Sequence, residues 1–85
     1  MDRKQIIQEI IQTMTTELKM VSRQLSEEDV DKDFVKDLKL LARDLMVLFF
    51  ELEKRFDISI SEEQYEKHGF KTIGSIVDIV EECVV

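Results

Sequence analysis

Residues 34–56 read FVKDLKLLARDLMVLFFELEKRF, and the spacing of their large apolar side chains decides the fold class. Phe34, Leu38, Leu41, Leu45, Leu48, Leu52 and Phe56 recur at steps of four and three, which on a helix makes one continuous stripe. The spacing predicts a helix that passes through Asp37–Asp44 and runs on past residue 50. The core of that octapeptide, Lys39-Leu40-Leu41-Ala42-Arg43, is built mostly from strong helix formers and has no glycine or serine to break it. Where the helix begins stays open between Ser26 and Asp37, because Ser26, Asp31 and Asp33 each carry a side chain able to cap the first amides.

Upstream, Ile7, Ile11, Met14, Leu18, Val21 and Leu25 repeat the same steps, and Ile6 and Ile10 widen the stripe. A long first helix is expected, opened by Asp2 with Gln5 three residues on as a capping box. Between the two stripes lies Ser26-Glu-Glu-Asp-Val-Asp-Lys-Asp33, where five of eight residues are acidic; it reads as a connector or a helix start. Downstream, Asp57-Ile-Ser-Ile-Ser61 alternates like a strand but is too short to make a sheet, so it is expected to be an extended loop dropping Ile58 and Ile60 inward. Ser61 with Gln64 forms a second capping box, opening a short helix that His68-Gly69 ends near Lys67. Thr72 caps a last helix whose Ile73, Ile76, Val77, Val80 and Val84 face the core. The expectation is one all-α domain over residues 1–85, with three main helices and one short one, and helix two extended towards its N-terminus.

Composition agrees and limits function. The 85 residues include no proline, two glycines and 36% charged side chains, which suits solvated helices. One cysteine, Cys83, excludes an internal disulfide and a multi-cysteine metal site, as suits a reducing cytosol; it reads as a small hydrophobe. No stretch approaches the roughly 18 apolar residues that span a bilayer, and Gln8 and Glu9 interrupt the N-terminal apolar run too early for a signal peptide. A cytoplasmic protein without membrane contact is expected. The net charge of −7 opposes nucleic-acid binding, which draws on clustered Lys and Arg. His68 has no cluster of ligands around it, and Glu62, Glu63 and Glu66 read as solvated charges at a helix start. With no phosphate-binding loop and no nucleophile beside a base, neither an enzyme nor a metal site is expected.

Three blocks, F34-V-K-D-L38, L52-E-K-R-F-D-I-S-I60 and K71-T-I-G-S-I-V-D-I79, stand in this order along the chain. Over roughly residues 3–84 they resemble the acyl carrier protein family: the first is similar to the family's entry into its second helix, the second to the exit from it, and the third to the start of the fourth. The resemblance implies a four-helix bundle in which helix three is the short one. Phe34 and Phe56 keep the family's separation, so the motif Asp-Leu-Gly-x-Asp-Ser-Leu transfers without a gap. Asp37 and Leu38 match; Lys39 stands for the glycine, Leu41 for the aspartate, Ala42 for the serine and Arg43 for the last leucine. In the family that serine hydroxyl accepts 4′-phosphopantetheine, whose thiol carries acyl groups. Ala42 has no nucleophilic oxygen, so no cofactor is expected there.

The family also docks on basic enzymes through an acidic second helix. Between Phe34 and Phe56 this chain has four acids and five bases, so that acidic face is missing. The run Leu45-Met-Val-Leu-Phe-Phe50 is apolar around more than one helix face, which leaves Met46, Val47 and Phe50 nearest the rim. With Lys39 and Arg43 they form the candidate partner surface. The resulting expectation is a non-carrying protein-interaction module, monomeric or weakly dimeric, whose partner is an enzyme of peptide natural-product maturation or acyl transfer. Two other functions compete with it. One is an acyl carrier of fatty acid or polyketide type modified at another serine (Ser22, Ser26, Ser59 or Ser61). The other is a self-associating structural bundle, since both stripes keep coiled-coil steps.

Overall fold

A computed structural model describes residues 2–21 and 24–83. The described residues are helical or irregular, without strands: α1 (Arg3–Gln12), a π-helical turn (Thr13–Glu17), a 3₁₀ turn (Glu27–Asp29), α2 (Ala42–Phe56), α3 (Glu62–His68) and α4 (Ile73–Cys83). Their apolar faces share one core containing Ile6, Ile10, Met14, Phe34, Leu48, Leu52 and the inner face of α4.

The predicted caps form. Asp2 Oδ1 accepts from Gln5 N at 2.8 Å, Ser61 Oγ from Gln64 N at 3.1 Å, and Thr72 Oγ1 from Ser75 N at 3.0 Å. Gly69, with φ 76 and ψ 165, ends α3 in a nearly glycine-only backbone region that costs other residues about 1–3 kcal/mol. On α4, Ile73, Ile76, Val77 and Val80 are buried as expected, and so is Ile79; Val84 lies outside the described residues.

Helix one is shorter than its stripe. The α-helix stops at Gln12, loosens into the π turn and ends at Glu17, well before Leu25. Thr13 and Thr15 account for the change: their hydroxyls donate to the carbonyls of Glu9 and Ile11, each at 2.8 Å, competing with the backbone ladder. The inner face is set by Ile6, Ile10, Ile11 and Met14, while Ile7 is only half-buried.

Helix two does not extend backwards. Residues 38–41 are irregular and α2 begins at Ala42, which corrects the expectation that the octapeptide is helical throughout. Three carboxylates offer the chain another way to satisfy its amides. Asp33 Oδ1 accepts from Val35 N and Lys36 N at 2.9 and 2.8 Å, Asp37 Oδ2 from Asp33 N at 2.7 Å, and Asp44 Oδ2 from Leu41 N at 2.9 Å. Lys39 then takes a left-handed conformation, φ 61, and Leu40 N closes onto Phe34 O at 2.8 Å. This break puts Phe34 and Leu40 into the core together, whereas one continuous helix would have paired Phe34 with Leu41.

The long connector from residue 18 to residue 41 is fastened to the approach to α4. Phe34 N donates to Lys71 O at 2.7 Å, Gly74 N donates to Val30 O at 2.9 Å, and the Phe34 ring lies 6.2 Å from that of Phe70. Arginines tie the helices at the surface. Arg3 joins α1 to Asp78, at 3.1 Å, and to Glu81 of α4; Arg55 joins α2 to Glu9, at 2.6 Å, and to Glu17.

Candidate functional site: the outer face of helix two

Leu48 and Leu52 turn one side of α2 wholly into the core, and the apolar run around them exceeds what that core can cover. Met46 remains 63% exposed, Phe50 60% and Val47 49%. Together they form an exposed apolar patch on the outer side of α2.

Beside this face α3 and the segment leading into α4 form the second wall of an open groove of about 500 Å³. Its lining includes Ala42, Met46, Phe49, Phe50, Tyr65 and Phe70. The aromatic floor is tightly organised: Tyr65 stacks on Phe70 at 5.8 Å with 13° between the planes, and Phe49 meets Phe50 edge-on at 5.6 Å. Such ring pairs add about 0.5–1.5 kcal/mol beyond their buried area, so the floor is preformed. Ala42, the first residue of α2, supplies only a methyl group to the groove.

The five residues singled out in the sequence separate here. Met46 and Phe50 line the groove; Val47 is exposed outside it; Arg43 sits in the first turn of α2, and Lys39 in the loop before it. The side chains of Lys39 and Arg43 make no ion pair or hydrogen bond among the described residues. Tyr65, Phe49 and Phe70 escaped the sequence reading, since no helical period joins α3 to α2. The available signal was the bracketing of His68-Gly69 by two aromatics.

His68 ties α3 to α4. It closes α3, and its Nε2 pairs with Glu82 of α4, a carboxylate that also receives Lys67 Nζ and Gln64 Nε2, each at 3.3 Å. Hydrogen bonds from His68 first, then from Lys67, hold the Glu82 carboxyl below its ordinary value. A depressed carboxyl adds stability above its unfolded pKa, near pH 4, and loses that contribution as pH falls through the folded value. We therefore expect the melting temperature of the native protein to fall more steeply below pH 4 than that of Glu82→Gln, the two curves converging in acid. Parallel curves would show that Glu82 does not anchor α3.

Among the described residues no group of three or more His, Cys, Asp or Glu side chains is placed to hold a metal ion, and no helix is long and apolar enough to cross a membrane.

No family model matches the chain. An acyl carrier protein of Exiguobacterium sibiricum is 31% identical to it over 81 residues, 95% of this chain and 96% of the relative. The chain belongs to the acyl carrier protein family. A second acyl carrier protein, from Exiguobacterium sp., is 30% identical over the same shares of both chains. The all-helical architecture, with three main helices and a short third one, fits an acyl-carrier-like bundle. Proteins of this family are carriers and not catalysts.

Proposed function

We propose that this chain is a non-carrying member of the acyl carrier protein family, a cytoplasmic interaction module that works beside a biosynthetic system of peptide natural-product maturation or acyl transfer. It contacts an enzyme of that system through α2, has no phosphopantetheine arm and no catalytic role, and acts as a monomer or weak dimer. The observation that supports this reading above all others is the residue that opens α2. With the Phe34 and Phe56 blocks laid on the family pattern, the serine position falls on Ala42, at the helix start and beside the groove.

A methyl group cannot attack the phosphate of coenzyme A, so the residues present at this helix start do not fit the prosthetic group. The neighbours differ in the same sense. Lys39, Leu41 and Arg43 replace the motif's glycine, aspartate and leucine, which removes acid from the place where a transferase would approach. Of the other serines, Ser61 uses its hydroxyl to cap α3, and Ser22 lies outside the described residues.

Incubation with coenzyme A and a broad-specificity phosphopantetheinyl transferase separates this reading from that of an acyl carrier modified elsewhere. Intact-mass spectrometry is expected to show no change, while the Exiguobacterium sibiricum carrier, as control, gains one arm. A gain of one arm on the native chain would overturn the reading, and peptide mapping would locate the serine.

A further inference from the structure

The face that α2 turns outward has an order that the groove alone does not explain. Arg43, Val47, Phe50 and Lys54 follow steps of four, three and four, with Met46 three residues after Arg43 and four before Phe50, so the five form one stripe with cations at both ends and exposed apolar side chains between. Lys39, in the loop just before α2, adds a third cation at the same end as Arg43.

Among the described residues these cations make no side-chain ion pair. The nearby acids are oriented by backbone amides: Asp33 and Asp37 cap the turn before α2, Asp44 receives Leu41 N, and Glu53 receives Ile60 N at 2.8 Å. Glu51 lies at one edge of the stripe and Glu62 on the α3 side of the groove. In a chain of net charge −7, a strip that is locally basic and apolar is a departure from the field of the whole surface.

Building on its reading as an interaction module, we propose that α2 docks an acidic amphipathic helix of a partner protein. The partner's apolar face lies on Met46, Val47 and Phe50, with its anchors reaching the groove over Phe49 and Tyr65. Its carboxylates run along the edge that meets Lys39 and Arg43, away from Glu62. Groove recognition of this kind reads side chains at i, i+3 or i+4, and i+7, the spacing that the exposed stripe itself presents. Charge complementarity sets the direction and choice of partner, and the apolar anchors supply most of the affinity.

Selection from a display library of 16-residue helices against the immobilised native chain tests this. The bulk charge of the protein would by itself enrich basic peptides, so the expected result is opposite to the trivial one. Enriched sequences are expected to carry net negative charge, with apolar residues at i, i+3 or i+4, and i+7. Measured by fluorescence anisotropy, their affinity should fall about tenfold in the double variant Lys39→Glu/Arg43→Glu, and by at least as much in Phe50→Ala. All three substituted residues are exposed, so unchanged thermal melting will confirm that the variants fold.

Enrichment of basic or uncharged helices, no enrichment at all, or affinity undiminished by the charge reversal would overturn the proposal. A concentration-dependent dimer that Phe50→Glu abolishes and the peptides displace would overturn it in favour of a second copy of this chain. The transferase experiment is independent. Arm loading would sink the non-carrying reading whatever peptides are selected, and selection of the wrong charge would sink this inference while leaving that reading intact.

Discussion

Leu40→Asp is expected to unfold the protein, while Leu41→Asp leaves it folded. The two leucines are adjacent and chemically identical, yet Leu40 is 4% exposed and Leu41 55%. A carboxylate at Leu40 enters the cluster around Phe34, where no buried cation lies among the described residues. Burying an unpaired charge or forcing its neutralisation costs about 4 kcal/mol or more, against a total of roughly 5–15 kcal/mol for a domain. At Leu41 the carboxylate stands in water at the cap of α2, where negative charge suits the helix dipole, and the change should stay within about 0.5 kcal/mol. Urea denaturation followed by far-UV circular dichroism measures both. The pair decides the register of this segment, because a helix continuing backwards from Ala42 would bury Leu41 and expose Leu40, reversing the two outcomes.

Phe34→Ala is expected to cost about 3–5 kcal/mol, the range for removing a buried ring that its surroundings cannot refill. Phe34 is fully buried, packs on Phe70 and is pinned through its amide to Lys71 O. Its loss should therefore release the connector before α2 as well as open a cavity, and hydrogen exchange at the amides of Val35, Lys36 and Leu40 would report that release. Phe34→Leu keeps most of the volume and should cost less than half as much. Equal losses for the two variants would mean that the site collapses freely and that the ring does not hold the connector.

Much of the architecture was legible in the chain itself. Caps are local: Asp2 with Gln5, Ser61 with Gln64 and Thr72 with Ser75 need only a short polar side chain and the amides three residues on, so they were predicted where they formed. The centre of α2 and the inner face of α4 were equally readable, because each is a stripe on an uninterrupted helix. The surplus of apolar residues over residues 45–50 implies that Met46, Val47 and Phe50 are left at the surface, and all three are exposed.

What the sequence could not decide was where periodicity stops meaning helix. The steps of four and three continue through Leu18, Val21 and Leu25 and again through Phe34, Leu38 and Leu41, but in both places the chain leaves the helix. Propensity differences of a few tenths of a kcal/mol per residue favoured continuing; the burial of Phe34 and Leu40 together, with Asp33, Asp37 and Asp44 capping the freed amides, outweighed them. The groove is a tertiary property for the same reason. Tyr65 and Phe70 meet Phe49 across the packing of α3 on α2 and α4, and Glu82 of α4 binds α3 through residues 14 to 18 positions away, contacts that no local pattern encodes. The sequence by itself determined an all-α chain of the acyl carrier type with alanine at residue 42. The tertiary structure decided that this alanine opens α2 beside an aromatic groove, because core burial and long-range hydrogen bonds, not helix propensity, set where the helix begins.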